Sequence, residues 1–285
     1  MFYLSGFADE ICDHFQTQLE VLADLNIHAI ELRGVNGQNL SQLSLEETKQ
    51  IHEMLTQYHI RVSALGSPLG KISLQDDFAP HLDLFRHMMQ QAQILETSYV
   101  RIFSFYDANA EGARAQVMDR LEQFLRCTPG GITLLHENEK GIYGDTAERC
   151  LDILSYFEGT PLLATFDPAN LIQVGEPSVP GAFNLLKPYI AYVHVKDALY
   201  QTGEVVPAGM GDAAWPQLIE ALRQMQYKGY LSLEPHLADF TGFQGLELAE
   251  DVAKTPQKAD KSRGESLFRL AAEKLRQLLK EEEIQ

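Results

Sequence analysis

Cysteine is scarce in this chain of 285 residues: Cys12, Cys127 and Cys150 form an odd set without metal-ligand spacing. They read as small buried hydrophobes rather than nucleophiles, and a reducing cytoplasm is the default compartment. No apolar run reaches the ~18 residues that a membrane span needs, so no membrane partner is expected. The opening MFYLSGFADE lacks the basic region and apolar block of a secretory signal and is expected to be mature structure. Basic residues are also few. The 23 Lys+Arg face 40 Asp+Glu, a formal net charge of -17 that repels polyanions and argues against nucleic acid as a partner. Its simplest role is solubility. Missing too is a G-x-G-x-x-G turn after the first strand, where SGFADE stands, which argues against an open doubly wound sheet.

What the chain does have is alternation. Its hydrophobic share of 45% is ordinary for a globular protein. Strand-like runs at 2–5, 28–32, 61–65, 99–104, 132–137, 162–167, 190–196 and 230–234 are separated by stretches of helical period. Ile11, Phe15, Leu19 and Leu22 share one helix face, as do Leu82, Phe85, Met89 and Ala92, and Leu267, Ala271, Leu275 and Leu278 do so in a closing helix. Each crossover helix returns the chain to the same end of the sheet, so the strands must pair in parallel. Eight such units predict a single-domain (β/α)8 TIM barrel over residues 1–285. No linker divides it. The polar segment 237–265 is expected to be a mobile excursion, an oligomer contact or plain surface.

In such a barrel the chemistry sits at the C-terminal ends of the strands. Here the ends of strands 5 to 8 carry His136-Glu137-Asn138, Asp167 in FDPAN, His194 in YVHVKD and Glu234 in LSLEPH. Alternation along a strand places Glu137 with Thr133 and Leu135, opposite His136, and places Glu234 with Ser232 and Tyr230. With those sets facing the lumen, Glu137, Asp167, His194 and Glu234 converge at one mouth. Three carboxylates and one imidazole suit a single divalent metal ion, Mn first, with Mg, Co or Zn as alternatives. Without a cation the carboxylates repel one another.

The motifs HEN, FDPAN, HVKD and LEPH, with PAGMGDAAWPQLIEALRQMQYKGYLSLEPH between the last two, resemble the xylose isomerase-like (AP endonuclease family 2) barrels, especially the sugar phosphate isomerase/epimerase-like members. The likeness runs from SGFADEI to LEPH. It implies the same ligand set, Glu137, Asp167, His194 and Glu234, and metal-dependent isomerase or epimerase chemistry on a sugar, sugar phosphate or polyol-derived ketone. Two positions depart from the family's ketose 3-epimerases: Asn170 stands where they have His, and Tyr200 where they have Arg. Asn170 hydrogen-bonds but does not titrate, and Tyr200 offers no fixed cationic fork.

Proton removal beside a metal-polarised carbonyl needs a base, and Glu137 and Glu234, from strands 5 and 8, are the expected pair. Asn170, Lys196, Asp197, Arg101 and Glu31 are the candidate substrate contacts, although Glu31 has a plainer reading as a partner of Arg33. The expected protein is a cytoplasmic enzyme with a small sugar or polyol substrate, in a possible homo-oligomer. The resemblance also implies a dehydratase of the inosose or 3-dehydroshikimate type as the alternative. An AP endonuclease fits less well, because Gly66-Ser67-Pro68 and Asn170 withhold the extra zinc ligands. A non-catalytic sugar-binding barrel is the remaining reading.

Overall fold

A computed structural model describes residues 1–107, 110–238 and 263–284. Eight parallel strands form its main sheet: β1 (Tyr3–Gly6), β2 (Ala29–Leu32), β3 (Arg61–Leu65), β4 (Tyr99–Ile102), β5 (Thr133–Glu137), β6 (Leu162–Phe166), β7 (Ile190–Val195) and β8 (Tyr230–Leu233). From β2 to β8 each strand pairs with the next in sequence and β1 pairs with β8, while β1 and β2 lie side by side, without a ladder, at the seam. The ring is therefore a TIM barrel that is nearly closed.

The helices around it are α1 (Phe15–Asp24), α2 (Leu45–Gln57), α3 (Phe78–Ile94), α4 (Ala113–Cys127), α5 (Ala147–Tyr156), α6 (Pro168–Gln173), α7 (Phe183–Leu186), α8 (Trp215–Gln224) and α9 (Gly264–Leu278). Local signals start several of them. Ser44 and Glu47 close a capping box at α2, satisfying otherwise orphaned N–H groups. In α9 the buried face is Phe268, Ala271, Ala272 and Leu275, whereas Leu267 and Leu278, expected on that face, are half-buried. The stripe is rotated toward Phe268. Of the segment 237–265, residues 239–262 lie outside the described residues. Cys150 is buried, as expected of a small hydrophobe, but Cys12 and Cys127 are only half-buried.

Alternation divides the strand side chains between two environments. Ile30, Leu32, Val100, Ile102, Leu134, Phe166, Val193 and Leu231 pack outward into the main core beneath the helices. The lumen holds a small apolar plug of Ala64, Leu135 and Tyr192, flanked by Tyr99, Leu163 and Tyr230. Above that plug the inward positions turn polar, which is where the mouth begins.

The loops after β3, β4 and β5 are stitched into a rim by backbone bonds. Phe103 N donates to Leu69 O, Phe105 N to Gly70 O, Tyr106 N to Ile72 O and Tyr143 N to Phe105 O. Arg120 of α4 fastens the rim by donating to the carbonyls of Ser73, Leu74 and Asp76 at 2.8–3.0 Å. Gly70 is required at the seam: its φ is +89°, and a Cβ there would stand 2.1 Å from Phe103 O. Gly70→Ala is expected to destabilise the fold by roughly 3 kcal/mol through clash and backbone strain. Chemical denaturation checks it, and a wild-type midpoint would show that the rim yields.

Candidate metal centre

Glu137 is the last residue of β5, and His194 is next to last in β7. Asp167, Lys196 and Glu234 fall just past β6, β7 and β8, one residue short of the expected strand ends. For Asp167 the reason is a change of task. It is the N-cap of α6, with Pro168 in the first turn, and its Oδ1 accepts the Asn170 N–H at 3.0 Å. Asn138 holds the same peptide from both sides: its Nδ2 donates to Asp167 O at 2.7 Å, and its Oδ1 accepts from Asp167 N at 2.9 Å. Capping thus spends one carboxylate oxygen and leaves Oδ2 for the lumen.

Glu137, Asp167, His194 and Glu234 are all buried, and one ligand atom from each lies within 4.8 Å of the others. His194 Nδ1 is 3.0 Å from Glu137 Oε1, 3.3 Å from Glu234 Oε2 and 3.7 Å from Asp167 Oδ2. Glu137 Oε2 and Asp167 Oδ2 accept no hydrogen bond, although Arg101 and Lys196 each approach to 3.1 Å. Buried carboxylate oxygens in that condition, grouped around one imidazole nitrogen, fit a hard or borderline divalent cation.

Cations of the chain itself brace this cluster. Lys196 Nζ lies 3.1 Å from Asp167 and 3.0 Å from Glu234. It is buried, and its carbonyl accepts from Trp215 Nε1 of α8 at 3.0 Å. Arg101 points inward and spans both glutamates, 3.1 Å from Glu137 and 3.6 Å from Glu234. Burial opposes the charged form of His194, but the carboxylates of Glu137, Glu31 and Glu234 outweigh it and hold the imidazole well above its usual range. Burial likewise works against ionised Glu234, yet Lys196, His236 and His194 hold it well below the usual carboxylate range. Lys196→Met is expected to raise Mn2+ affinity by about tenfold, because removing a cation beside two ligand carboxylates relieves repulsion of the ion. Calorimetry reads this directly, and weaker Mn2+ binding would mean that Lys196 mainly shapes the ligands.

The remaining candidates take other places. Asn170 donates to Glu137 Oε1 at 3.2 Å and to Asn138 O at 2.9 Å, so its amide orients a ligand. Glu31 pairs not with Arg33 but with His194 and Ser232. The Asp197 carboxylate accepts the backbone N–H groups of Ala198, Gly209, Gly211 and Ala213, anchoring the loop before α8. Tyr200 is exposed. His136 points away from the cluster, as alternation requires. Its ring lies against Gly144, and burial pushes its pKa down to about 3.

Reading strand ends places Arg33 only beside Glu31 and passes over His236, Glu10 and Phe7. Arg33 is buried between Asp9, Glu10 and Glu234, with nitrogen–oxygen distances of 2.8, 3.1 and 3.3 Å. His236 stands 3.4 Å from Glu234, and its N–H donates to Glu10 at 2.6 Å. Burial, against the pull of Arg33, pushes Glu10 up to about 7. The signal available was the acidic pair in SGFADE and the His of LEPH. Phe7 from the same stretch sets its ring edge against His194 at 5.3 Å, with Arg33 and Arg101 over its face at 4.2 and 5.1 Å.

A model of the xylose isomerase-like TIM barrel matches residues 19–267. The chain belongs to the xylose isomerase-like TIM barrel family. Among solved structures of similar fold is a D-allulose 3-epimerase from Methylomonas sp. in complex with D-allulose. It has a TM-score of 0.76 and 14% identity, covering 98% of this chain and 97% of that one. The D-psicose 3-epimerase with D-tagatose from Clostridium cellulolyticum has a TM-score of 0.71 at 13% identity, covering 98% and 100%. The probable 3-DHS dehydratase AsbF from Bacillus anthracis has a TM-score of 0.68 at 18% identity, covering 95% and 98%. A comparison with curated proteins finds no match. The structural neighbours of this chain thus include epimerases and a probable dehydratase, and the likeness to them shows the fold alone. Among the described residues no helix is long and apolar enough to cross a membrane.

Proposed function

We propose that the protein is a divalent-metal-dependent isomerase or epimerase, acting on a sugar, sugar phosphate or polyol-derived ketone in the cytoplasm. The observation that carries this reading is the buried Glu137–Asp167–His194–Glu234 cluster at the barrel mouth. Its donor set favours Mn2+ over softer ions. When bound, the metal supplies Lewis-acid polarisation of a substrate carbonyl.

The chain's residues divide the remaining work. Glu137 and Glu234 stand on strands well separated around the ring and offer carboxylates to the substrate from different sides, one to take the proton α to the carbonyl and one to return it. Arg101 spans them and fixes their spacing. Lys196 places a positive charge beside Asp167 and Glu234, suited to steadying negative charge that develops on a substrate oxygen. Phe7 packs its ring against His194 and helps to hold the imidazole in place.

The test is NMR in D2O with a panel of ketoses, ketose phosphates, inososes and 3-dehydroshikimate, at saturating Mn2+. Deuterium incorporation at the carbon α to a carbonyl, with an isomeric or epimeric product, is expected for at least one compound. Water loss with an enone chromophore would move the protein to the dehydratases. Exchange on no compound by metal-loaded protein would remove the catalytic reading.

A further inference from the structure

Glu31 is a buried carboxylate of the mouth whose hydrogen-bond partners are groups of the chain itself. It is 1% exposed, and its two oxygens lie 3.2 and 3.1 Å from His194 Nε2. Ser232 Oγ donates to Oε2 at 2.7 Å. These partners come from β7 and β8, so the contacts reach across the lumen beneath the ligand cluster.

The backbone is built to aim Glu31 there. The β2–β3 register slips between Ile30 and Glu31: Ile30 faces Val62 while Glu31 faces Ala64, so Ser63 is the extra residue on β3. A bulge of this kind re-aims side chains and adds local twist. Ser63 uses its freed position to donate to Ile30 O at 3.0 Å and to share hydrogen bonds with Tyr192 Oη at 2.8 Å and Ser5 Oγ at 2.6 Å. Glu31 thus follows directly on the bulge, and its own bonds run to His194 and Ser232.

An imidazole used as a metal ligand must present one nitrogen without a proton, and the hydrogen bond at the other nitrogen decides which one. His194 Nδ1 is the nitrogen turned toward Glu137, Glu234 and Asp167, while Nε2 meets only Glu31 among the contacts described. We propose that Glu31 is a positioning residue of the metal centre, holding the proton on His194 Nε2 so that Nδ1 is the metal donor. The inference rests on the metal reading above and gives Glu31 a role distinct from substrate binding.

The experiment pairs metal titration with imidazole nitrogen NMR. Wild-type protein labelled with 15N-histidine is loaded with diamagnetic Zn2+, and Mn2+ affinity is measured by calorimetry for wild type, Glu31→Gln and Ser232→Ala. The proton is expected on Nε2 of His194 and the metal at Nδ1. Glu31→Gln, which keeps the shape but loses the charge, is expected to weaken Mn2+ binding by about 10–100-fold, and Ser232→Ala by less. The wild-type spectrum is decisive even where a variant fails to fold: metal at Nε2, or a proton on Nδ1, overturns the proposal. Wild-type Mn2+ affinity in folded Glu31→Gln overturns it as well and leaves the metal reading intact. Wild-type protein that binds neither Mn2+ nor Zn2+ removes both.

Discussion

Glu137→Gln and Glu234→Gln are each expected to lower turnover by about 10²–10⁴-fold while the barrel stays folded. The amide keeps an oxygen that still ligates a cation, although more weakly, but it has no basic carboxylate to accept a proton. Saturating Mn2+ therefore separates loss of the base from loss of the ion. The two variants should not behave alike toward solvent. In an epimerase, one of them retains exchange of the substrate α-proton with D2O, because the remaining base can remove and return a proton on its own face. Steady-state kinetics with Mn2+ in excess, run beside the exchange assay, makes the comparison. Near-wild-type turnover in both would move the proton carrier elsewhere, with Lys196, 3.0 Å from Glu234, the first group to examine.

The second large effect concerns the metal itself. His194→Ala and Asp167→Asn are expected to weaken Mn2+ binding by at least about 100-fold and to lose activity in parallel, since a direct ligand matters more than the outer partners that tune it. Asn is chosen at residue 167 because an amide oxygen still caps α6, whereas Ala would also forfeit about 1 kcal/mol of helix capping. Circular dichroism then reports an intact fold. Calorimetric affinity equal to wild type in either variant would strike that residue from the ligand set.

Much of this centre was legible because parity along a strand is a strong constraint. Once the ends of β5 to β8 are placed at one mouth, Glu137, Asp167, His194 and Glu234 have few other places to point. The barrel follows from the same logic, and the strand limits differ from expectation by one or two residues. What escaped depends on contacts between distant stretches. Arg33 reaches Glu234 across 201 positions of sequence, and no local pattern encodes that pairing. A slip in register falls between Ile30 and Glu31, Glu31 meets His194 rather than Arg33, and the extra residue Ser63 hydrogen-bonds Tyr192, 129 positions away. The surroundings of Asp197 also depend on distant stretches. Its place beside Lys196 suggested the site, and the loop carrying Gly209 and Gly211 folds back to claim its carboxylate.

Anomalous diffraction at the manganese edge, from a crystal grown in Mn2+, tests the metal centre most directly. One strong peak enclosed by Glu137, Asp167, His194 and Glu234 is expected, with His194 Nδ1 in its coordination shell. Either an absence of anomalous density in that cluster, or a peak seated on other residues, would contradict it.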